Sequence, residues 1–241
     1  SRYREQTFGQ LGVSASLTTL AAIAVLTLVL PNYTTSVIGP VYSPSQLAFV
    51  AIVSLVLYGT FVLVQAVRHR DYFLPVDAKA DAETHANPPS GKLAAASAGL
   101  LLVGLVAVVL LAKALAPTIE AAVAGAGAPK AVVGIIIAMV VLLPEGLAAY
   151  RAARANRLQT SLNLALGSAL ASIGLTIPAV AIVSLATGWT LTLGLDIKSS
   201  VLLLLSLFVS SLSLSTGRTT VLQGTVHLVL LATYLFTTIV P

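Results

Sequence analysis

Seven stretches of this chain are long and apolar enough, or nearly so, to cross a lipid bilayer, and this limits the fold more than any other feature. They cover residues 11–30, 47–67, 93–123, 131–155, 162–185, 201–214 and 221–240. The hydrocarbon core of a bilayer takes about 20 helical residues. No water is available there to satisfy a bare amide or carbonyl, so each run is predicted to be a helix that bonds its own backbone. The sixth run is short and is expected to begin further upstream or to tilt. Composition agrees, with 57% hydrophobic and 9% charged residues and a mean hydropathy of +0.98, against about 25% charged in an ordinary soluble domain. The expected fold is all-α, a polytopic membrane protein of about seven transmembrane helices.

Charge gives the sidedness. With the amino terminus in the cytoplasm and the chain alternating sides, Arg2, Arg4, Arg68, Arg70, Lys79, Lys92, Arg151, Arg154, Arg157 and Arg218 fall on the cytoplasmic side. Only Lys113, Lys130 and Lys198 fall outside. Basic residues collect on the cytoplasmic face of membrane proteins, so the bias supports seven spans in an inner membrane, with the amino terminus and the loop 68–92 cytoplasmic. That loop holds Asp71, Asp77, Asp81, Glu83, His69, His85, Pro88 and Pro89 and reads as a solvated connector. The chain opens Ser1-Arg2 rather than with Met, and its first apolar run has no cleavage signature; a truncated or processed chain is the expectation. The net charge of +5 does not point to nucleic acid, because the basic residues lie in short groups between apolar runs without interleaved aromatics. There is no cysteine, hence no disulfide and no thiolate metal site. Phosphate-binding, zinc-protease and nucleophile-elbow motifs are missing, which argues against an enzyme.

Glu145 stands inside the fourth run directly after Pro144. A carboxylate at membrane depth is costly and marks a functional site by default. Pro144 has no N–H to offer the carbonyl of Val140 one turn back, so that oxygen is available to a cation or to water. With the run ending at a surface near Arg154, Glu145 lies roughly 8–13 Å deep. It reads as a cation ligand that can carry a proton, or as an acid snorkelling toward Arg151 or Arg154. The fifth run, SLNLALGSALASIGLTIP, carries Ser161, Ala165, Ser168, Ser172 and Thr176 on one helical stripe, with Asn163, Gly167, Ala171, Gly174 and Pro178 beside it. Ser168 lies about 10 Å deep, the level of Glu145. Oxygen donors of this kind suit hard cations; small residues at this spacing also simply pack membrane helices. Glu120, after Pro117, is a second buried-acid candidate, either a relay or an interfacial acid. His227 on the last run reads as a hydrogen-bonding residue between helices.

The stretch LLPEGLAAYRAARANRLQTSLNLALGSALASIGLTIPAV, with VRHRDYFLPVD and STGRTTVLQGTVHLV, resembles the cation/calcium exchanger superfamily, and within it the bacterial Cha-type sodium(potassium)/proton and calcium/proton antiporters. The resemblance implies two inverted five-helix repeats, each giving an acidic helix and a Gly-Ser helix to a midplane site. By it, residues 93–241 form the second repeat and 1–67 the last two helices of the first. The first acid would come from a missing repeat or a second chain. Glu145 becomes the acidic ligand and proton carrier and Ser168 a hydroxyl ligand, the two together holding the metal ion; Gly167 is the point of close approach, and Ser172, Asn163 and Glu120 are the remaining cation- and proton-binding candidates. Many relatives have Gly-Asn before the acid and His after it. Here Leu143-Pro144 and Gly146 stand there, leaving Na⁺ and K⁺ beside Ca²⁺ as cargo. The implied activity is cation/proton antiport with no permanent cofactor; its partners are the bilayer, the inorganic cation and H⁺. A different class stays open: a membrane scaffold, or a half-molecule acting only with a partner.

Overall fold

The computed structural model describes residues 5–74 and 90–240. Its seven helices follow the apolar runs closely. Helix α1 (Gln10–Ala24) continues through a π turn (Val25–Val29) and a 3₁₀ turn (Leu30–Tyr33). Helix α2 (Pro44–Leu63) ends in a second π turn (Val64–Arg68), followed by a 3₁₀ turn (Arg70–Phe73). Then come α3 (Gly91–Gly125), α4 (Ala131–Arg154), α5 (Leu158–Thr187), α6 (Ile197–Leu214) and α7 (Val221–Ile239). All seven are long and apolar enough to span a membrane. The short sixth run does begin upstream, where Asp196 caps α6 by accepting from the Ser199 amide at 3.2 Å. Hydrogen bonding from Ser199 holds that carboxyl below the ordinary carboxylate range. A capping box between Ser43 and Gln46, with Pro44 in the first turn, starts α2. Prolines 117, 144 and 178 lie inside α3, α4 and α5 without ending them. Of the polar loop, Asp71 sits on the 3₁₀ turn, while Asp77, Lys79, Asp81, Glu83, His85, Pro88 and Pro89 lie outside the described residues, as do Arg2 and Arg4.

The chain forms two compact units, one drawn from Ser1–Val76 and Leu147–Ala232, the other from Asp77–Gly146 and Thr233–Pro241. In the first unit α5 lies against both α1 and α2. One core joins Ile23, Phe61, Phe73 and Leu170, with the Phe61 and Phe73 rings edge to face at 5.9 Å. A second joins Tyr42, Leu47, Val50, Ala51 and Ala181. Small residues let the helices approach. A Cβ at Gly174 would lie 3.0 Å from Tyr58, and one at Gly12 would run into the carbonyl of Tyr72.

The loops of this unit gather at two ends. At one, β1 (Gln6–Thr7) pairs antiparallel with β2 (Arg218–Thr219), and the Phe8 amide donates to Gly217. There too the Gln6 side chain donates to the Ala153 carbonyl at 3.0 Å. At the other, Leu193 and Gly194 donate to Pro40, and Leu195 to Leu28, while the Asn32 amide donates to Leu195 at 2.6 Å. The segments before α1, between α4 and α5, and between α6 and α7 thus share one end, with Arg154, Arg157 and Arg218 close by in sequence. The α1–α2 and α5–α6 connections share the other. This grouping of loops is what alternating spans require.

In the second unit α3 runs 35 residues, about 50 Å of helix. This exceeds the roughly 30 Å hydrocarbon core, so the helix must tilt or project beyond it. A turn through Gly127 at φ +67° leads into α4, and Ile119, Val123, Val132 and Ile136 line an apolar cleft beside that turn.

Candidate cation site

The candidate residues fall on three helices. Glu120 is on α3, three residues past Pro117, and Glu145 is on α4, directly after Pro144; both belong to the second unit and both are exposed on the chain. Asn163, Gly167, Ser168 and Ser172 are on α5 in the first unit. Helix α4 stays continuous through Pro144, and the missing proline N–H withdraws the donor from the Val140 carbonyl. Pro178 does the same to the Gly174 carbonyl, four residues back on α5.

Along α5, Ser161 and Ser168 are half-buried, and Ser172 and Thr176 are exposed. The opposite side of the helix is committed to packing: Leu170, Ile177, Pro178 and Ala181 are buried. The serine stripe therefore lies on the side of α5 that its own unit covers less. Of the two glycines within α5, Gly174 lies tight against Tyr58, whereas a Cβ built on Gly167 meets no heavy atom of a described residue within 4 Å.

Asn163 is hydrogen-bonded within the unit. Its amide donates to the Phe73 carbonyl at 2.7 Å, and its oxygen accepts from Gln159 at 3.0 Å. Gln159, which sequence reasoning passed over, is 2% exposed and accepts from the Gly9 amide at 2.6 Å. The signal available was its spacing: a glutamine four residues before an asparagine shares one helical face with it. His227 is half-buried on α7, one turn after Gln223, whose side chain donates to the Ser213 carbonyl at 3.3 Å.

Residues 96–240 match the profile of the sodium/calcium exchanger protein family. The chain belongs to this family. The match takes in Glu120, Glu145, the whole of α5 and His227. Two relatives extend the likeness to α1 and α2. A candidate ionic transporter of Sinorhizobium fredii, y4hA, is 49% identical over 241 residues, all of this chain and 65% of its own length. The sodium-potassium/proton antiporter ChaA of Escherichia coli is 34% identical over 238 residues, 98% of this chain and 64% of its own. The chain thus spans about two thirds of the length of these relatives. The seven apolar helices among its described residues make it a multi-pass membrane protein.

Proposed function

We propose that this chain is the larger part of an inner-membrane cation/proton antiporter, with its amino terminus and the loop 68–92 in the cytoplasm. Glu145 binds the cation and the proton in turn. Ser168 supplies a hydroxyl oxygen, and the Val140 carbonyl a second neutral donor. Asn163, Gly167 and Ser172 shape the α5 side of the site, and Glu120 serves as a proton relay. A second acid-bearing helix pair, from the same polypeptide or from another chain, completes the coordination. The observation that carries this reading is the pairing, within an exchanger-family chain, of a carboxylate placed after an in-helix proline with a serine-striped helix that follows it.

The chemistry is competition. A cation and a proton that use the same carboxylate cannot occupy it together, so loading either ligand expels the other. Alternating access then exposes the site to each side in turn. The cation is cargo, and the cycle makes and breaks no covalent bond apart from the proton's. Hard oxygen donors suit Na⁺, K⁺ and Ca²⁺ alike.

The test uses the intact gene product in everted vesicles with a fluorescent pH probe, adding Na⁺, K⁺ and Ca²⁺ in turn. Glu145→Gln is expected to abolish cation-driven proton movement while membrane insertion stays normal. Ser168→Ala is expected to raise the half-saturating cation concentration about tenfold through loss of one oxygen ligand, about 1.4 kcal/mol. Wild-type exchange by the Glu145→Gln protein removes the assignment.

A further inference from the structure

Besides the cores around Leu170 and Ala181, two contacts flank Ser168 on α5. Above it in sequence, Gly174 meets Tyr58 of α2, an apolar contact. Below it, two side-chain amides form a chain between three segments. Gly9, at the start of α1, donates to Gln159 at 2.6 Å. Gln159 donates to Asn163 at 3.0 Å, and Asn163 donates to the Phe73 carbonyl beyond α2 at 2.7 Å. Gly12, one turn into α1, lies so close to the Tyr72 carbonyl that no side chain fits between them.

These two anchors differ in kind. Apolar packing is non-directional and lets a helix slide or turn by small amounts. Hydrogen bonds constrain both distance and angle, and a buried amide that loses its partner is destabilising. A slip of α5 by one residue would move Ser168 by about 1.5 Å and turn it by about 100°, taking it off any ligand geometry. Gln159 has the burial and the connections to prevent that slip.

We propose that Gln159, acting through Asn163, is a positioning residue that sets the axial register and rotation of α5, and with them the placing of the Ser168 hydroxyl. The inference rests on the reading of Ser168 as a cation ligand, but the register it describes is measurable without transport.

The experiment uses the full-length protein with spin labels at Leu11→Cys on α1 and Leu175→Cys on α5, in a background free of other cysteines. Gln159→Met keeps the length and removes both polar atoms; Gln159→Glu keeps an acceptor for the Gly9 amide. With Gln159→Met the inter-label distance distribution is expected to broaden or shift. The cation KM is expected to rise about tenfold with the maximal rate per folded transporter held within about twofold, as for a change in binding rather than in turnover. Gln159→Glu is expected to move both quantities the same way by less, and it carries the test if Gln159→Met fails to reach the membrane. An unchanged distance distribution overturns the proposal. So does a broadened distribution with unchanged KM, which would make the amide chain a fastener only. Unimpaired exchange by Glu145→Gln and Ser168→Ala would instead sink the site reading, while the distances still report whether the amide chain fixes α5.

Discussion

Helices α2 and α3 are equally apolar by sequence, yet the structure uses them in opposite ways. In the most apolar stretch of α2, 28% of residues are buried by neighbouring helices; in that of α3, no described residue is. The first gives up its surface to α5 through Tyr58, Phe61 and Val50. The second presents Leu100, Leu101, Val103 and Leu111 outward. In water such a face would drive collapse. In lipid it costs nothing, because acyl chains are as apolar as leucine. Hydropathy therefore tells which segments enter the membrane and is silent on which of them pack together. What separates the two helices is that α2 meets α5, with Tyr58 against Gly174 and Phe61 and Val50 in the shared cores.

The contrast can be tested by substitution, and the largest effect is expected from removing bulk. Leu170→Ala, at a fully buried position of α5, is expected to cost about 2–5 kcal/mol. Leu101→Ala, at a position 74% exposed on α3, should stay within about 0.5 kcal/mol. Both are read by unfolding the detergent-solubilised chain. Equal losses would mean that α3 is covered as α5 is, and the contrast would fail.

Adding one methyl group sharpens the same comparison. Gly12→Ala forces a Cβ onto the Tyr72 carbonyl and is expected to cost about 1–3 kcal/mol. Gly99→Ala on α3 meets nothing within 4 Å and is expected to gain about 0.5–1 kcal/mol from lower backbone entropy in the unfolded chain. A thermal-melt series on the two variants decides; a neutral Gly12→Ala would show that the end of α1 is loosely held.

The smallest effect concerns a polar hook of the first unit. Tyr42, 8% exposed, donates its hydroxyl to the Leu26 carbonyl in the π turn that ends α1. Tyr42→Phe is expected to cost about 1 kcal/mol. Burial pushes the Tyr42 phenol from 10.0 up to about 12. A raised acid pKa means that the neutral form is favoured in the folded state. The stabilisation is therefore complete below pH 10 and is lost as the pH rises toward 12. Alkaline melts of wild type and Tyr42→Phe should converge over that window; parallel curves would disconnect this hydroxyl from the stability of the turn.

Much of the fold was legible in advance. The span boundaries shift by four residues or fewer between expectation and structure, even for the short sixth helix. The grouping of loops anticipated from the basic residues reappears in the pairing of Gln6–Thr7 with Arg218–Thr219. On α5, the expected small-residue face is realised at Gly174, where Tyr58 sits against it. Less legible was the use of individual polar residues. Asn163 reads from the sequence as a cation-binding candidate beside the serine stripe, and the structure gives it two hydrogen bonds within its own unit. Gln159 drew no attention, because a glutamine near a helix start looks like surface until its partner is known. Gly12 was one glycine among 17, with nothing nearby in the chain to mark Tyr72 as its neighbour.

The sequence by itself determined how many segments enter the membrane, where each begins and ends, which connections share a side, and which helices carry the acids and the serines. These are sums over neighbouring residues, and hydropathy, charge and helical spacing are local quantities. Only the tertiary structure decided that α5 is gripped by α1 and α2, and that one buried amide ties together segments 150 residues apart. The physical reason is that a hydrogen bond or a glycine contact acts over about 3 Å in space, and nothing in a residue's own stretch of chain records which distant backbone will come to lie there.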